Sequence, residues 1–585
     1  MEMAFDRFAD SDAIPAEKQR ARQLTIVAQD PRVTNPDGTI VRAVVSVPPE
    51  WIEIGPRGQR FHVVDYDATA RRLNEPLDLT DPTEELWQAR EWSSVDHFRY
   101  ASDEELIANP QFHQQNVYAI AARTLGAFES ALGRRLPWGF GAHQLYLVPH
   151  AFAEPNAHYS GEDSGVFFGY LETGDSRSVH TCLSHDIIVH EVTHAILDGL
   201  RPRFIEPSLP DQPAFHEAFA DIVALLSVFS IRELVLAVLG QGDERDRIPA
   251  ARTDADALAE SPLFTLASQF GEAVSGVRGS ALRRSLTLKP GYDWKNDRAF
   301  DEAHRRGEVL VAAILRTLLD MWTNRLDDLT DGERLSRARA AEEGARAAGH
   351  LLRMVIRAID YSPAVELEFG DFLDAILISD EVVAPEDNHD YRGSVKQWFN
   401  AYGIRQPEMK IVDLAQQPFN YTHLNFTSLQ ADRDEVSRFI WQNADVLGID
   451  RELYLRVDAV RPSVRVGPDG LVVNEVVADY AQSVSTTVAE ARRAIPGLTI
   501  PTGLEDDVEL QLWGGGTLIF DQFGMAKFHQ TKPLANWERQ TNRLAYLARH
   551  GYFDTRGRLG FSLGTPKGLR FAAFHEPNSR AGEDW

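Results

Sequence analysis

The hydrophobic period of the chain changes twice. Up to about Glu84 apolar residues occur in short alternating runs, Ile40 to Val47 and Arg60 to Val64, which predict strands. Pro48, Pro49, Gly55, Pro56 and Gly58 lie between them and predict turns. Phe112, Val117, Ile120, Leu125, Phe128 and Leu132 recur at helical spacing. Leu145 to Val148 and Val166 to Tyr170 read as strands again. From Ser184 to Ala375 the pattern is mainly helical, clearest over His185 to Asp198, Ala214 to Ser230, Glu308 to Trp322 and Leu335 to Asp360. Gly199 and Pro202 end the first of these helices. The helical period stops around Gly403 to Pro418 and alternation returns. Val464 to Val466, the turn Gly467 to Gly470 and Leu471 to Tyr480 read as a hairpin. Glu509 to Trp513, Thr517 to Phe520 and Met525 to His529 read as a meander, with Gly514 to Gly516 as hairpin-turn glycines.

These shifts predict an α+β chain in three parts: an N-terminal β-type segment (1–84), a central region (85–405) and a C-terminal α+β region (406–585), with the second boundary near Gln406. No solenoid or propeller repeat and no low-complexity tract interrupts them. A length of 585 residues allows about two to four domains. Lys+Arg number 60 against 87 Asp+Glu, a formal charge of −27, which disfavours a nucleic-acid partner because phosphate binding needs a basic stripe. That charge reads as solubility, with attraction of a cationic substrate as the sharper alternative. The densest apolar run, Ile222 to Ile231, falls short of the roughly 20 residues that span a bilayer, so no membrane partner is expected. Met1 to Asp10 is acidic and lacks the form of a signal peptide, which predicts a cytoplasmic protein. The single cysteine, Cys182, excludes an intrachain disulfide and a Cys-rich zinc site and reads as a small buried residue. Asp380, Glu381, Glu386, Asp387 and Asp390 read as a solvated acidic loop.

Residues 190–194 are His190, Glu191, Val192, Thr193 and His194. Positions i and i+4 share a helix face, about 5–6 Å apart at Cβ, so both imidazoles can reach one ion. Zinc takes imidazole nitrogen at about 2.0–2.1 Å. Glu191, one residue after the first histidine, is placed to take a proton from a metal-activated water. With 18 histidines in 585 residues, such a run arises by chance in about one chain in 25. A second helix reduces that chance. It carries Glu217 as a third ligand, completing His2Glu with one open position, and Asp221 one turn later to hold a ligand imidazole in orientation. Glu217 lies on a largely apolar helix, where a lone buried carboxylate is costly and a metal is a fitting partner.

The order H-E-x-x-H, loop, E-x-x-x-D resembles the gluzincin zinc metallopeptidases, the thermolysin-like and neprilysin-like endopeptidases. Asp198, one turn after His194, matches the thermolysin-like form as well. Upstream, Asn156, Ala157, His158 and Tyr159 before the strand Val166 to Tyr170 are similar to the family's N-A-x-aromatic edge strand. The resemblance implies that Asn156 and Ala157, with Tyr159, align the main chain of a peptide or protein substrate by strand addition. His304, in the run Asp301 to Gly307, resembles the family's oxyanion-binding histidine, with the glycine one residue early; Asp301 or Glu302 can orient it.

The resemblance covers about residues 85–400. It implies a two-lobed thermolysin-like domain with a β-containing N-lobe and a helical C-lobe, followed by an α+β accessory domain. It implies one Zn2+ per chain, with Glu191 as general base. The position of a family calcium ligand is Asp186, but its partner position is Val228, which argues against a double calcium site. The loop between His194 and Glu217 is longer than the family's and holds Arg201 and Arg203 but no tyrosine, so the family's second oxyanion donor is unassigned, with Tyr361 and Tyr391 as candidates. The S1′ arginine lies among Arg232, Arg245, Arg247, Arg252, Arg278, Arg283 and Arg284. The aminopeptidase run G-x-M-E-N is absent, which favours an endopeptidase. The alternatives are an exopeptidase or maturation peptidase dedicated to one peptide, and an inactive zinc-stabilised peptide-binding protein. The tail can bind substrate, bind a partner or block the cleft, and control of proteolysis is expected to reside there.

Overall fold

Alternation along the first eighty residues produces strands, as the pattern predicts. The computed structural model describes residues 21–553 apart from 36, 81–95, 173–177, 207, 254–256, 259–284, 286, 327–328, 330–333 and 408–417. Strand β1 (Arg22–Val27) pairs antiparallel with β2 (Arg42–Val47). In β2, Ala43, Val45 and Val47 are buried while Val44 and Ser46 face outward, the period of a half-buried strand. A five-stranded sheet follows, built from β3 (Phe61–Val63), β4 (Leu145–Phe152), β5 (Ala157–Ser160), β6 (Gly165–Glu172) and β7 (Ser178–His180). Its order is β3-β4-β6-β5. β3 and β6 flank β4 in parallel, β5 runs antiparallel to β6, and β7 pairs antiparallel with the far end of β6.

Helix α1 (Pro110–Leu132) lies between β3 and β4 in the chain. It starts on an Asn109 cap with proline at its first turn and stops at Gly133, whose φ of 65° suits the left-handed C-cap. The N-terminal segment is therefore not a separate part. β3 is a strand of the sheet, and the backbone N–H of Val27 in β1 donates to Asn116 Oδ1 of α1 at 3.0 Å. The sheet thus spans the division expected at Glu84, because strand pairing joins residues whose separation the local period does not record.

The helical region is α2 (His185–Leu200), α3 (Asp211–Phe229), α4 (Ala303–Leu326), α5 (Arg337–Tyr361), α6 (Phe369–Val383) and α7 (Tyr391–Ala401). α2 and α3 are buried nearly all round, the signature of core helices. One apolar core runs from Leu24 to Ile404 and takes in Val477, Ile519 and Phe528 from the tail. The acidic run expected as a solvated loop is largely that: Glu381, Glu386 and Asp390 are exposed and residues 384–390 connect α6 to α7, but its first member is not. Asp380 is buried in α6 and pairs with Arg392 at 3.0 Å, and Asp387 accepts from the N–H of Tyr391 at the start of α7. Among the described residues no helix is long and apolar enough to cross a membrane.

The tail has helix α8 (Arg433–Gln442), then the meander β8 (Tyr454–Val466), β9 (Val472–Thr487), β10 (Glu509–Asp521) and β11 (Ala526–Lys532), then α9 (Trp537–Arg549). The predicted hairpin is present: Val466 faces Val472 across the Gly467–Gly470 turn. The predicted turn at Gly514 to Gly516 is not. These glycines lie inside β10, opposite Gln482, Ala481 and Tyr480. A Cβ on Gly516 would sit 2.3 Å from the Gln530 carbonyl oxygen, and one on Gly514 would sit 2.5 Å from the Leu534 nitrogen. The glycines serve close backbone approach, which composition cannot tell from turn chemistry.

The tail has apolar clusters of its own, one around Phe439, Tyr480 and Phe520 and one around Leu510, Leu512 and Leu544. It meets the helical region along a seam of buried charge. On the helical side Arg134 clasps Asp360 through two bonds of 2.6 Å, on the tail side Arg465 reaches Glu475 at 2.7 Å, and Arg465 faces Asp360 across the seam at 3.7 Å. Arg201 and Arg461 both bind Asp479, and Arg539 meets Glu366 at 2.7 Å. Lys532 bridges Asp371 at 2.6 Å and Glu368 at 2.8 Å. Arg203, in the loop between α2 and α3, lies over the Trp513 ring, 4.3 Å from its centroid. Such cation–π contacts gain strength where water is excluded.

Candidate metal centre

The buried faces of α2 and α3 carry the polar residues singled out from sequence. His190 and His194 stand one turn apart on α2, with their Nε2 atoms 2.9 Å apart. Glu217 of α3 places Oε2 3.6 Å from His190 Nε2 and 3.7 Å from His194 Nε2. Asp221, one turn further along α3, lies 2.8 Å from His190 Nδ1. A carboxylate accepts, so His190 Nδ1 carries the proton and its Nε2 lone pair faces the centre. The exposures of His190, His194 and Glu217 are 6%, 0% and 3%. Four-coordinate zinc with bonds of about 2.0–2.2 Å sets its ligand atoms about 3.3–3.5 Å apart, and the observed spacings bracket that value. Two imidazole nitrogens and one carboxylate, converging in a buried place, fit a zinc ion held by His190, His194 and Glu217.

Glu191 leads away from this trio to the sheet. It is fully buried, and its Oε2 accepts the backbone N–H of Tyr159 at 2.9 Å. Strand β5 is an end strand of the sheet order. The carbonyl of Asn156 accepts from Gly169 N–H at 2.8 Å, so backbone groups of alternate residues from Asn156 face β6. The N–H and C=O groups of Ala157 and Tyr159 therefore face the outer edge, beside Glu191. Asn156 turns its Oδ1 onto the Ala157 N–H at 2.9 Å, a local turn contact at the head of that edge.

Tyr159, expected to contact substrate, has a side chain placed otherwise. It is 2% exposed, and its hydroxyl donates to Asp198 Oδ2 at 3.0 Å. Burial, then the Asp198 charge, pushes its phenol well above the usual tyrosine value. Asp198 and Tyr159 together join the end of α2 to β5. His304 stands in the first turn of α4. Its Nδ1 lies 2.7 Å from Glu302 Oε1, and its Nε2 lies 3.5 Å from Glu217 Oε2. Glu302 orients this ring, whereas Asp301 faces Arg549 of α9 at 3.5 Å. Burial raises the Glu302 carboxyl, and the bond and charge of His304 bring it below its ordinary value. The side chains of Glu302 and Asp221 are 46% and 40% exposed, so solvent approaches the centre from that side.

His216 was missed from sequence. It stacks on His194 with ring centroids 4.7 Å apart and planes 9° apart, fixing the ligand ring from the side. Its position next to Glu217 was the available signal. The two tyrosines offered as oxyanion donors are engaged elsewhere: Tyr361 donates to Glu475 of the tail at 2.8 Å, and Tyr391 accepts from Arg325. Of the arginines considered for S1′, Arg252 bonds the carbonyl of Gln241 and Arg247 that of Arg334, while Arg278, Arg283 and Arg284 lie outside the described residues. Asp186 accepts from the N–H of Ile187 at 2.7 Å in the first turn of α2. Its burial, then the charge of Asp30, raises its carboxyl to about 8. No protein-family model matches the chain, and no curated protein matches it either.

Proposed function

We propose that the chain is a zinc-dependent peptidase of the gluzincin kind, an endopeptidase acting on peptide or protein substrates. In this reading the sheet carrying β5 and the helices α2 to α4 form the two lobes of a thermolysin-like domain, with the substrate lying between them. The observation that carries it is the position of Glu191, beside the His190–His194–Glu217 trio and bonded to the edge strand at Tyr159.

Zinc held by His190, His194 and Glu217 would supply Lewis-acid polarisation of the scissile carbonyl and a water of lowered pKa. Glu191 takes the proton from the attacking water and passes it to the leaving amine. The N–H of Tyr159 holds the Glu191 carboxylate in place for that transfer. Asp221 and His216 fix the rings of His190 and His194. The Ala157 carbonyl at the outer edge of β5 and the side chain of Asn156 align the main chain of the extended substrate. His304, held as a donor by Glu302, faces the oxygen where negative charge develops.

The test is Glu191→Gln. Zinc content should stay at that of the wild type while peptide hydrolysis is abolished. A wild-type protein without stoichiometric zinc, or a variant that cleaves as well as wild type, overturns the reading. Profiling on casein separates a general endopeptidase from a peptidase dedicated to one peptide.

A further inference from the structure

A second group of metal-binding side chains lies apart from the trio. His113 of α1, His150 of β4, His180 at the end of β7 and Cys182 in the turn before α2 bring their ligand atoms within 4.8 Å of one another. We propose that these four residues form a second, structural zinc site, a closed His3Cys set.

Three observations lead there. The first is proton placement. His113 Nε2 lies 2.9 Å from the carbonyl oxygen of Ile107, and His150 Nδ1 lies 2.6 Å from Asp65 Oδ1. Both partners only accept, so those two nitrogens carry the protons. The remaining nitrogens, His113 Nδ1 and His150 Nε2, face each other at 2.9 Å with lone pairs. Two acceptors at that distance repel unless a cation lies between them. His190 and His194 show the same 2.9 Å approach in the first centre. The second observation is His180 Nδ1, which is buried and has no hydrogen-bond partner. The third is the thiol of Cys182, fully buried beside the three imidazoles.

The surroundings are those of a ligand set held from outside. Asp65 orients His150 and is itself held by Gln114 Nε2 at 2.8 Å, and Tyr170 stacks on His180 at 15°. Four protein ligands leave no open position, which marks a structural rather than a catalytic ion. Three nitrogens and a thiolate suit zinc, and cobalt(II) as its spectroscopic substitute. The site would tie α1, β4 and β7 to the turn that starts α2. In that turn the Thr181 hydroxyl reaches the carbonyls of Gly169 and Asn156, so the same ion would steady the head of β5.

The experiment uses the full chain, purified without chelator, with metal analysis and anaerobic exchange into cobalt(II). Two zinc ions per chain are expected. The cobalt protein should show thiolate-to-metal charge-transfer absorption, which can come only from Cys182 because the chain has one cysteine. A His190→Ala/His194→Ala double variant should lose hydrolysis and one ion yet keep the second ion and the band. Cys182→Ser should lose the band, and Asp65→Asn should weaken retention of the second ion by about 10–100-fold. A folded wild-type protein with one ion and no thiolate band under saturating cobalt overturns the proposal, even if Cys182→Ser fails to fold. A band that survives in a wild type lacking peptidase activity would sink the first reading and leave this one standing.

Discussion

At the seam between the helical region and the tail, Asp360, Glu366, Glu475 and Asp479 each face arginine. At the centre on α2 and α3, Glu217 lies within 3.7 Å of three imidazoles, those of His190, His194 and His304. Both places are buried, and the difference is in the partner. A guanidinium is permanently charged, and where it clasps a carboxylate through two parallel bonds, as Arg134 does Asp360, the pair is complete without a further group. His190, whose outer nitrogen meets Asp221, turns its Nε2 lone pair toward His194 and Glu217, an arrangement that fits a cation. The seam is complete in its own side chains, and the centre has the donor set of a cation site.

The sharpest way to break this contrast is at Glu191. If the centre is reactive, Glu191→Gln should lower kcat/KM by about 10³–10⁴-fold, the range of a lost general base, with zinc content and melting temperature unchanged. A variant that loses zinc along with activity would make Glu191 part of the structural frame instead.

The seam should respond in the opposite sense, in stability rather than chemistry. Arg201 is buried, pairs with Asp479 and donates to the Ile359 carbonyl from Nε at 3.1 Å. Removing one member of a buried pair leaves the other uncompensated, at a cost of about 3–5 kcal/mol. Arg201→Ala should lower the unfolding free energy by that order while activity below the transition survives. A change under about 1 kcal/mol would show the seam to be ornamental. The same logic predicts that a 1–405 chain aggregates rather than becoming more active, because Glu366 would lose Arg539, Arg201 would lose Asp479, and the apolar face meeting Ile519 and Phe528 would lose its cover. A soluble and hyperactive 1–405 protein would restore the tail as a block over the cleft.

The two regions also differ in how far the sequence announces them. His190, Glu191 and His194 are neighbours on one helix, and Glu217 and Asp221 share the next, so helical spacing alone draws the centre together. The hairpin at Gly467 to Gly470 was equally legible from its turn residues and alternation. Arg134 and Asp360, or Arg201 and Asp479, are separated by hundreds of residues, and no local period connects them. The cluster of His113, His150, His180 and Cys182 comes from four elements and was invisible for the same reason. His180 and Cys182 lie two residues apart, but nothing in their spacing points to His113 or His150. Gly514 to Gly516 misled because close backbone approach and turn chemistry select the same residue. The N-terminal boundary misled because β3 finds its partner across α1.

Asp221 sharpens the contrast at a lower level. In the proposed centre its bond to His190 Nδ1 supports a zinc ligand from outside, and loss of such a support weakens metal binding by about 10–100-fold. Asp221→Asn should release zinc to a chelator correspondingly faster, with the melting temperature of the metal-loaded protein little changed. If Asp221→Asn instead destabilises the fold as Arg201→Ala does, the pair is structural and the centre resembles the seam.

Acid separates the two regions by pH. Burial raises the Asp360 carboxyl, but Arg134, with Arg465 and Arg201, more than reverses this and holds it at about 2 against an ordinary 3.8. A carboxyl depressed by folding stabilises fully above its unfolded value, and that stability is lost as pH falls from about 4 through about 2. Asp360 contributes about 2 kcal/mol in this way. Asp360→Asn should be less stable than wild type at neutral pH and should show a shallower loss across that window in denaturant titrations. Zinc ligands must be deprotonated to bind, and free imidazole titrates near 6.5, so metal should leave at a higher pH than the one at which the seam opens. Two separated acid steps, zinc release first and loosening of the Asp360 cluster with Arg134 and Arg465 second, are the expected record in metal analysis and tryptophan fluorescence. Arg203 stacked on Trp513 supplies the reporter for the second step. A single step in which metal and seam are lost together would mean that the centre and the seam are one cooperative unit.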